Sequence, residues 1–379
     1  MDIVCFCHLR WDFVYQRPQH LLSRFAYEFR VFVIEEPIYD AATPYLDKTL
    51  SKEKVWIITA HLPRDLNENE NILWQQTLLK DLFSEFGIED YILWFYTPMA
   101  IDISKVLPPA RLVIYDCMDE LSAFKNAPAA ISDKEALLFQ QADLVFTGGY
   151  SLYESKQKLH HSVYAFPSSI DKTHFLKARS THTIPFDQFC VARPRIGFFG
   201  VIDERFDTGL LNEVALLKPE WQFIIIGPVV KIDPASLPAA PNIHYLGSKS
   251  YEELPVYLAG WDAAMIPFAR NEATRFISPT KTPEYLAGGI PVVSTSIRDV
   301  INPYAGLGLV YIADEPNEFI KGIEWALDNR NDPQWLHAVD DFLANISWDI
   351  TWVEMMLLIQ NKLKANKSAT LIPNENEYV

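Results

Sequence analysis

Cysteine is scarce: four residues in 379, at Cys5, Cys7, Cys117 and Cys190, too few and too scattered for a disulfide framework. Cys5 and Cys7 stand two apart on an expected strand, and no second Cys/His pair at zinc spacing accompanies them, so buried free thiols are expected. Basic charge is short as well. The 33 Lys and Arg are outnumbered by 49 Asp and Glu, a formal net charge of −16, which excludes a general nucleic-acid binder and makes any phosphate site local. No run approaches the roughly 20 apolar residues that span a bilayer. No basic segment precedes the strand that Met1–Val4 enters, so a cytoplasmic chain is expected. Short-period repeats and low-complexity tracts are missing too.

What is present is a globular pattern, 49% hydrophobic, in a chain long enough for two domains of about 150–200 residues. Apolar runs alternate with helix-length segments, as in parallel α/β sheets. The first series of expected strands is Ile3–Cys7, Val31–Glu35, Val55–Thr59, Tyr91–Tyr96, Leu112–Asp116, Leu144–Thr147 and Val163–Phe166. Between Asp171 and Pro194 the periodicity fades. A second series opens at Arg195–Gly200 and continues through Phe223–Gly227, His244–Gly247, Ala263–Pro267, Pro291–Ser294 and Leu309–Ile312. The expectation is two doubly wound domains, 1–180 and 181–347, with ligands where strand C-termini face an inter-domain cleft. A last helix, near Trp348–Lys364, and a polar tail complete residues 348–379.

The stretch Pro279–Gly289, PTKTPEYLAGG, followed by the strand-like Ile290–Ser294, carries the most chemistry. Ser278 or Thr282 is a candidate cap for a helix whose first turn tolerates proline, and Gly288-Gly289 stops it. Lys281 on that turn adds a cation to the orphan N–H donors, which suits a diphosphate. Glu284, three residues on, shares the helix face and offers a carboxylate to ribose hydroxyls. The alternative is a surface ion pair on an ordinary linking helix.

KTPEYLAGGIPVVST resembles the donor-binding signature of bacterial GT-B glycosyltransferases, K-x-x-E-Y-L-A-x-G-x-P-V-V, and His8–His20, HLRWDFVYQRPQH, resembles the opening of one branch of these enzymes. The resemblance implies a GT-B fold: two Rossmann-like domains facing across a cleft, the first for the acceptor and the second for the nucleotide sugar, with the C-terminal helix crossing back to the first. It implies a donor site of Gly200, Arg205, Arg275, Thr280, Lys281 and Glu284, with Arg270 beside Arg275 as a further cation. The acceptor side falls to His8, Trp11, Arg17 and Asp116, and Asp119, Asp12 and Lys281 become the catalytic candidates. His244–Gly247 is either a base-contacting strand or plain core.

The sequence departs from the family pattern in three places. Val201 and an acidic loop replace the usual Gly-Arg, Phe276 stands where an earlier glutamate belongs, and Met118 takes the place of a histidine before Asp119. An inverting reaction would use a carboxylate as general base; a retaining one would not require it. The implied activity is metal-independent hexosyl transfer from a nucleoside diphosphate sugar, UDP-linked by resemblance, to a carbohydrate or lipid-linked acceptor in surface polysaccharide synthesis. No cofactor beyond the nucleotide-sugar co-substrate, no metal, no nucleic acid and at most peripheral membrane contact are expected. A non-hydrolysing nucleotide-sugar epimerase and a non-enzymatic scaffold are the alternatives. Domain closure over bound donor is expected to be part of the mechanism.

Overall fold

The computed structural model describes residues 1–181 and 183–370, with the side chains of 368–370 excluded. The expected polar tail lies, from residue 371, outside the described residues.

The apolar runs form strands because both faces of each are covered by helices, so side chains pointing either way must be apolar. In the first sheet β1 (Asp2–Cys7) is central, with β2 (Arg30–Glu35) on one side. Next come β3 (Ile38–Tyr39), β4 (Tyr45–Leu50) and β5 (Val55–Leu62), then β6 (Tyr91–Phe95), β7 (Leu112–Cys117), β8 (Leu144–Thr147) and β9 (Val163–Ala165). The order is β3-β5-β2-β1-β6-β7-β8-β9, parallel throughout, with β4 added antiparallel to β5. β3 and β4 were not expected from the sequence.

The second sheet holds β10 (Arg195–Phe199), β11 (Gln222–Ile226), β12 (Ile243–Tyr245), β13 (Ala263–Ile266), β14 (Val292–Ser294) and β15 (Val310–Ile312), in the parallel order β12-β11-β10-β13-β14-β15. In both sheets the order reverses beside the first strand, and the loops that follow strand C-termini open toward one cleft.

Among the described residues three apolar cores hold these layers. Ile170, Phe175 and Ala178, ahead of the expected division at 180/181, already pack in the core of the second domain. Trp348, Met355 and Ile359 of the last helix, Trp348–Thr370, pack in a core of the first domain, so this helix does cross back. By length and composition the stretch Pro333–Lys367 is apolar enough to cross a membrane, although no continuous apolar run is visible in it. Here two helices, Pro333–Leu343 and Trp348–Thr370, divide it, and the second leaves Ile350, Val353 and Leu357 exposed. Of the expected buried thiols, Cys5, Cys7 and Cys117 are buried, but Cys190 is exposed at the end of a short helix.

Aromatic, polar and ionic contacts tie the domains together. The Tyr15 ring stacks on Tyr251 with centroids 4.6 Å apart, and Tyr251 stacks in turn on His174 at 4.2 Å. Ser168 N–H donates to Ser278 Oγ at 3.3 Å, and Lys52 Nζ lies 2.9 Å from Glu252 Oε1. Phe124 sits between Arg205 and Lys231, each 5.3 Å from its ring centroid. The helix Tyr150–Lys156 begins at Gly149 with no side-chain cap of its own, and Asp299 of the second domain accepts the Ser151 N–H at 3.1 Å.

Candidate active site

Between the domains lies a cleft of about 760 Å³ lined from both sides, within the size range of small-molecule sites. A smaller cavity of about 90 Å³ adjoins it, room for roughly three waters. Gln16, Arg205, Thr280 and Lys281 line both.

On the first domain, the loop after β1 is pinned from two directions. Glu35, at the end of β2, accepts the Trp11 N–H at 2.6 Å, Arg10 Nη1 at 2.8 Å and Thr59 Oγ1 at 3.0 Å. Gln19 Nε2 donates to the carbonyls of Trp11 and Val14 at 2.8 and 3.1 Å. Glu35 was missed in the sequence, where only its position at a strand C-terminus could have singled it out. The loop sets Trp11, buried, and Asp12, exposed, along the cleft.

On the second domain, the helix Lys281–Ala287 brings Lys281 and Glu284 to the cleft on one face. Gly200 and Gly227 end β10 and β11 with φ of +143° and +142°. A Cβ on Gly200 would fall 2.1 Å from Lys281 Cε, so the missing side chain is what lets the lysine lie there. Lys281 Nζ lies over the Phe198 and Phe268 rings at 5.6 and 5.5 Å, and among the described residues it makes no hydrogen bond or ion pair. Burial and the nearby Arg205 guanidinium hold its pKa below the ordinary lysine range. Glu284, 6% exposed, is pushed above the carboxylate range by burial, with Lys281 opposing the shift. Its carboxylate too makes no hydrogen bond among the described residues. Tyr251 Oη, on the same cleft, is a further buried polar atom without a partner among the described residues. Buried groups are normally paired, so these unpaired ones on one wall mark a place for a ligand.

Gly227 gives a structural prediction. A Cβ there would lie 1.9 Å from the Gly200 carbonyl oxygen, a backbone atom that cannot rotate away. Gly227→Ala combines left-handed strain of about 1–3 kcal/mol with overpacking of about 1–3 kcal/mol. The two together come to about 2–6 kcal/mol, so the expected outcome by calorimetry is a Tm lowered by about 4–24 °C, at about 2–4 °C per kcal/mol for a domain of this size.

Asp119 lines the smaller cavity with Lys281 and Arg205. The turn carrying it is held closely: Gly148 N–H bonds to the Cys117 carbonyl at 2.9 Å, and a Cβ on Gly148 would come 2.5 Å from the Met118 carbonyl oxygen. Lys156, buried, anchors the next residue, Glu120, at 2.8 Å. Burial raises the Asp119 carboxyl to about 6, with Arg205, Arg17 and Lys281 pulling it down and Asp203 pushing it further up.

Other sequence candidates fall elsewhere. Arg17 and Asp116 are not free acceptor-side groups. They form a buried ion pair, Nε to Oδ1 at 3.0 Å, with Arg17 Nη1 on the Phe166 carbonyl at 2.7 Å, and only Arg17 borders a cavity. His8 lines neither cavity, and burial lowers its pKa to about 4, so its ring is neutral. Arg275, expected at the donor, is turned to solvent beside Glu272 at 3.5 Å, and Arg270 pairs with Asp314 at 3.2 Å. Arg205 does border both cavities but is gripped by Asp203 through bonds of 2.9, 3.1 and 2.7 Å. The expected helix cap is also different. Thr280 occupies the cap position without a side-chain bond, Thr282 is inside the helix, and Ser278 Oγ is used by Ser168. Val201 lines the cleft with an apolar side chain.

Comparison with known proteins fits this geometry. Residues 193–329 match the family described as glycosyl transferases group 1. Over 285 residues, 70% of each chain, the protein is 25% identical to a putative teichuronic acid biosynthesis glycosyltransferase, TuaH, of Bacillus subtilis. Among solved structures it is similar to the sucrose-phosphate synthase of Thermosynechococcus elongatus at a TM-score of 0.67 and 13% identity, over 96% of this chain and 100% of that one. Anabaena Alr3699/HepE in complex with UDP matches at 0.66 and 13%, over 95% and 100%. The architecture is therefore GT-B.

Proposed function

We propose, for a GT-B chain whose residues 193–329 form a group 1 glycosyltransferase domain, that it transfers a sugar from a uridine diphosphate donor held by the second domain to a carbohydrate acceptor on the first. The observation that carries this reading is the unpaired couple on one helix face: a half-buried ammonium, Lys281, and a buried carboxylate, Glu284, both open to the cleft. A nucleoside diphosphate answers both, with phosphate oxygens for the cation and ribose hydroxyls for the carboxylate. UDP in the complex with Alr3699/HepE, a protein of the same fold, favours uridine as the base.

Chemistry belongs where the two cavities join. Lys281 faces the departing diphosphate and stabilises its developing charge, while Asp119, on the opposite domain, accepts a hydrogen bond from the reacting sugar hydroxyl. Asp12, at the exposed edge, takes part in acceptor binding rather than in the bond exchange. The larger setting is surface polysaccharide synthesis, in keeping with the named role of the Bacillus relative.

Thermal unfolding with a panel of nucleoside diphosphates and their sugars tests the donor. At 100 Kd a ligand of the native state adds about 2.7 kcal/mol. UDP species are expected to raise Tm by several degrees; a flat response to all of them would refute the assignment. Conversion of a UDP-sugar to its epimer without acceptor would favour the epimerase reading instead.

A further inference from the structure

The strand that sequence patterning missed forms part of the cleft. In the antiparallel pair of β4 and β5, Tyr45 stands opposite His61, Asp47 opposite Thr59 and Thr49 opposite Ile57, and residues directly opposite share a face. Asp47, Thr49, Ile57 and Thr59 all line the cleft, whereas Lys48, between them in sequence, turns the other way to Glu85 at 2.7 Å. The row therefore floors the first-domain half. At its outer end the Tyr45 ring stacks on His61, centroids 4.6 Å apart and 7° from parallel, and His61 Nδ1 lies 2.7 Å from Asp40 Oδ1. From Tyr45 to Ser51 the strand runs roughly 20 Å at about 3.4 Å per residue, more than one sugar ring needs.

Charge narrows the occupant. Asp12, Glu35, Asp47 and Glu53 line this half against two cations, Arg10 and Lys52. Both cations are already paired, Arg10 with Glu35 at 2.8 Å and Lys52 with Glu252 at 2.9 Å. The Asp47 carboxylate makes no hydrogen bond among the described residues. A polyanion would meet uncompensated carboxylates here; a neutral, hydroxyl-rich chain would donate to them and lay ring faces on the exposed aromatics Phe13 and Tyr45, both 50% exposed.

Building on the transferase reading, we infer that the acceptor is an uncharged oligosaccharide whose residues behind the reacting end lie along β4, between Asp47 and Thr49 on the floor and the Trp11–Phe13 loop above. The test is an array of neutral and uronate-containing oligosaccharides of graded length, probed with the full chain in saturating UDP. Neutral chains are expected to be retained at least tenfold better at tetrasaccharide than at monosaccharide length, and uronate chains not at all. Thr49→Trp, on the exposed edge strand, is expected to abolish the length dependence while leaving the UDP-induced Tm shift intact. Length-independent retention, no retention of neutral chains, preference for uronate chains, or an unaffected Thr49→Trp would overturn the inference. A missing UDP shift would instead overturn the donor assignment, and length-dependent retention of neutral chains would then still support the groove.

Discussion

Lys281→Ala is expected to lower turnover by about 10²–10³-fold, the usual cost of removing one group aimed at charge that develops in a transition state. Loss of the side chain breaks no hydrogen bond among the described residues, but it removes the cation that favours the ionised form of Glu284, whose carboxyl should be pushed further up. Folding should change little, since a desolvated cation goes with it. Lys281→Met separates charge from packing: it keeps the contact with Phe198 and Phe268 and is expected to be as inactive as the alanine variant. Single-turnover kinetics with saturating donor is the measurement, and wild-type rates in either variant would remove Lys281 from the mechanism. A diphosphate beside it also favours the ammonium form, so the lysine held low in the free protein returns toward its ordinary range on donor binding.

Asp119→Asn is expected to cost about 10²-fold or more in kcat/KM, the lower end of what a positioned proton acceptor contributes. The pH profile identifies the group. With the carboxyl raised to about 6, the wild-type protein loses its accepting form as pH falls through that value, so kcat/KM should decline on the acid side of pH 6. Asparagine does not titrate, and its profile should be flat across the same range. Because Glu284 is also shifted upward, Glu284→Gln is the necessary control. It should weaken donor affinity while leaving the Asp119 limb in place. An unchanged acid limb in Asp119→Asn would assign that limb to another carboxyl.

The parts of this fold legible in the sequence are those whose local pattern has one cause. Val31–Glu35 and Leu144–Thr147 read as strands because strands buried on both faces are continuously apolar. β4 escaped because its sequence, YLDKTL, has a charged pair at its centre, lies on a largely exposed edge and contains no apolar run. Lys281 and Glu284 were legible through their spacing on one helix. Asp116, by contrast, looked like an acceptor-side group until its partner, 99 residues away, was found in Arg17. Arg275 was misread because its neighbourhood in sequence, a polar loop after β13, matches an anion clamp, while in space it turns to Glu272. Tyr251 and Asp299 gave no signal, since their significance lies in what the other domain presents to them.

The cap that Asp299 lends to the helix Tyr150–Lys156 makes the amide of Ser151 a thermodynamic gauge of the whole molecule. Any parting of the domains uncaps a helix in one and strands a carboxylate in the other. The lost cap alone is worth about 1 kcal/mol, roughly a fivefold bias in population toward the shut form. Every opening of the cleft draws on that bias, and deuterium uptake at Ser151 reads out how often it happens.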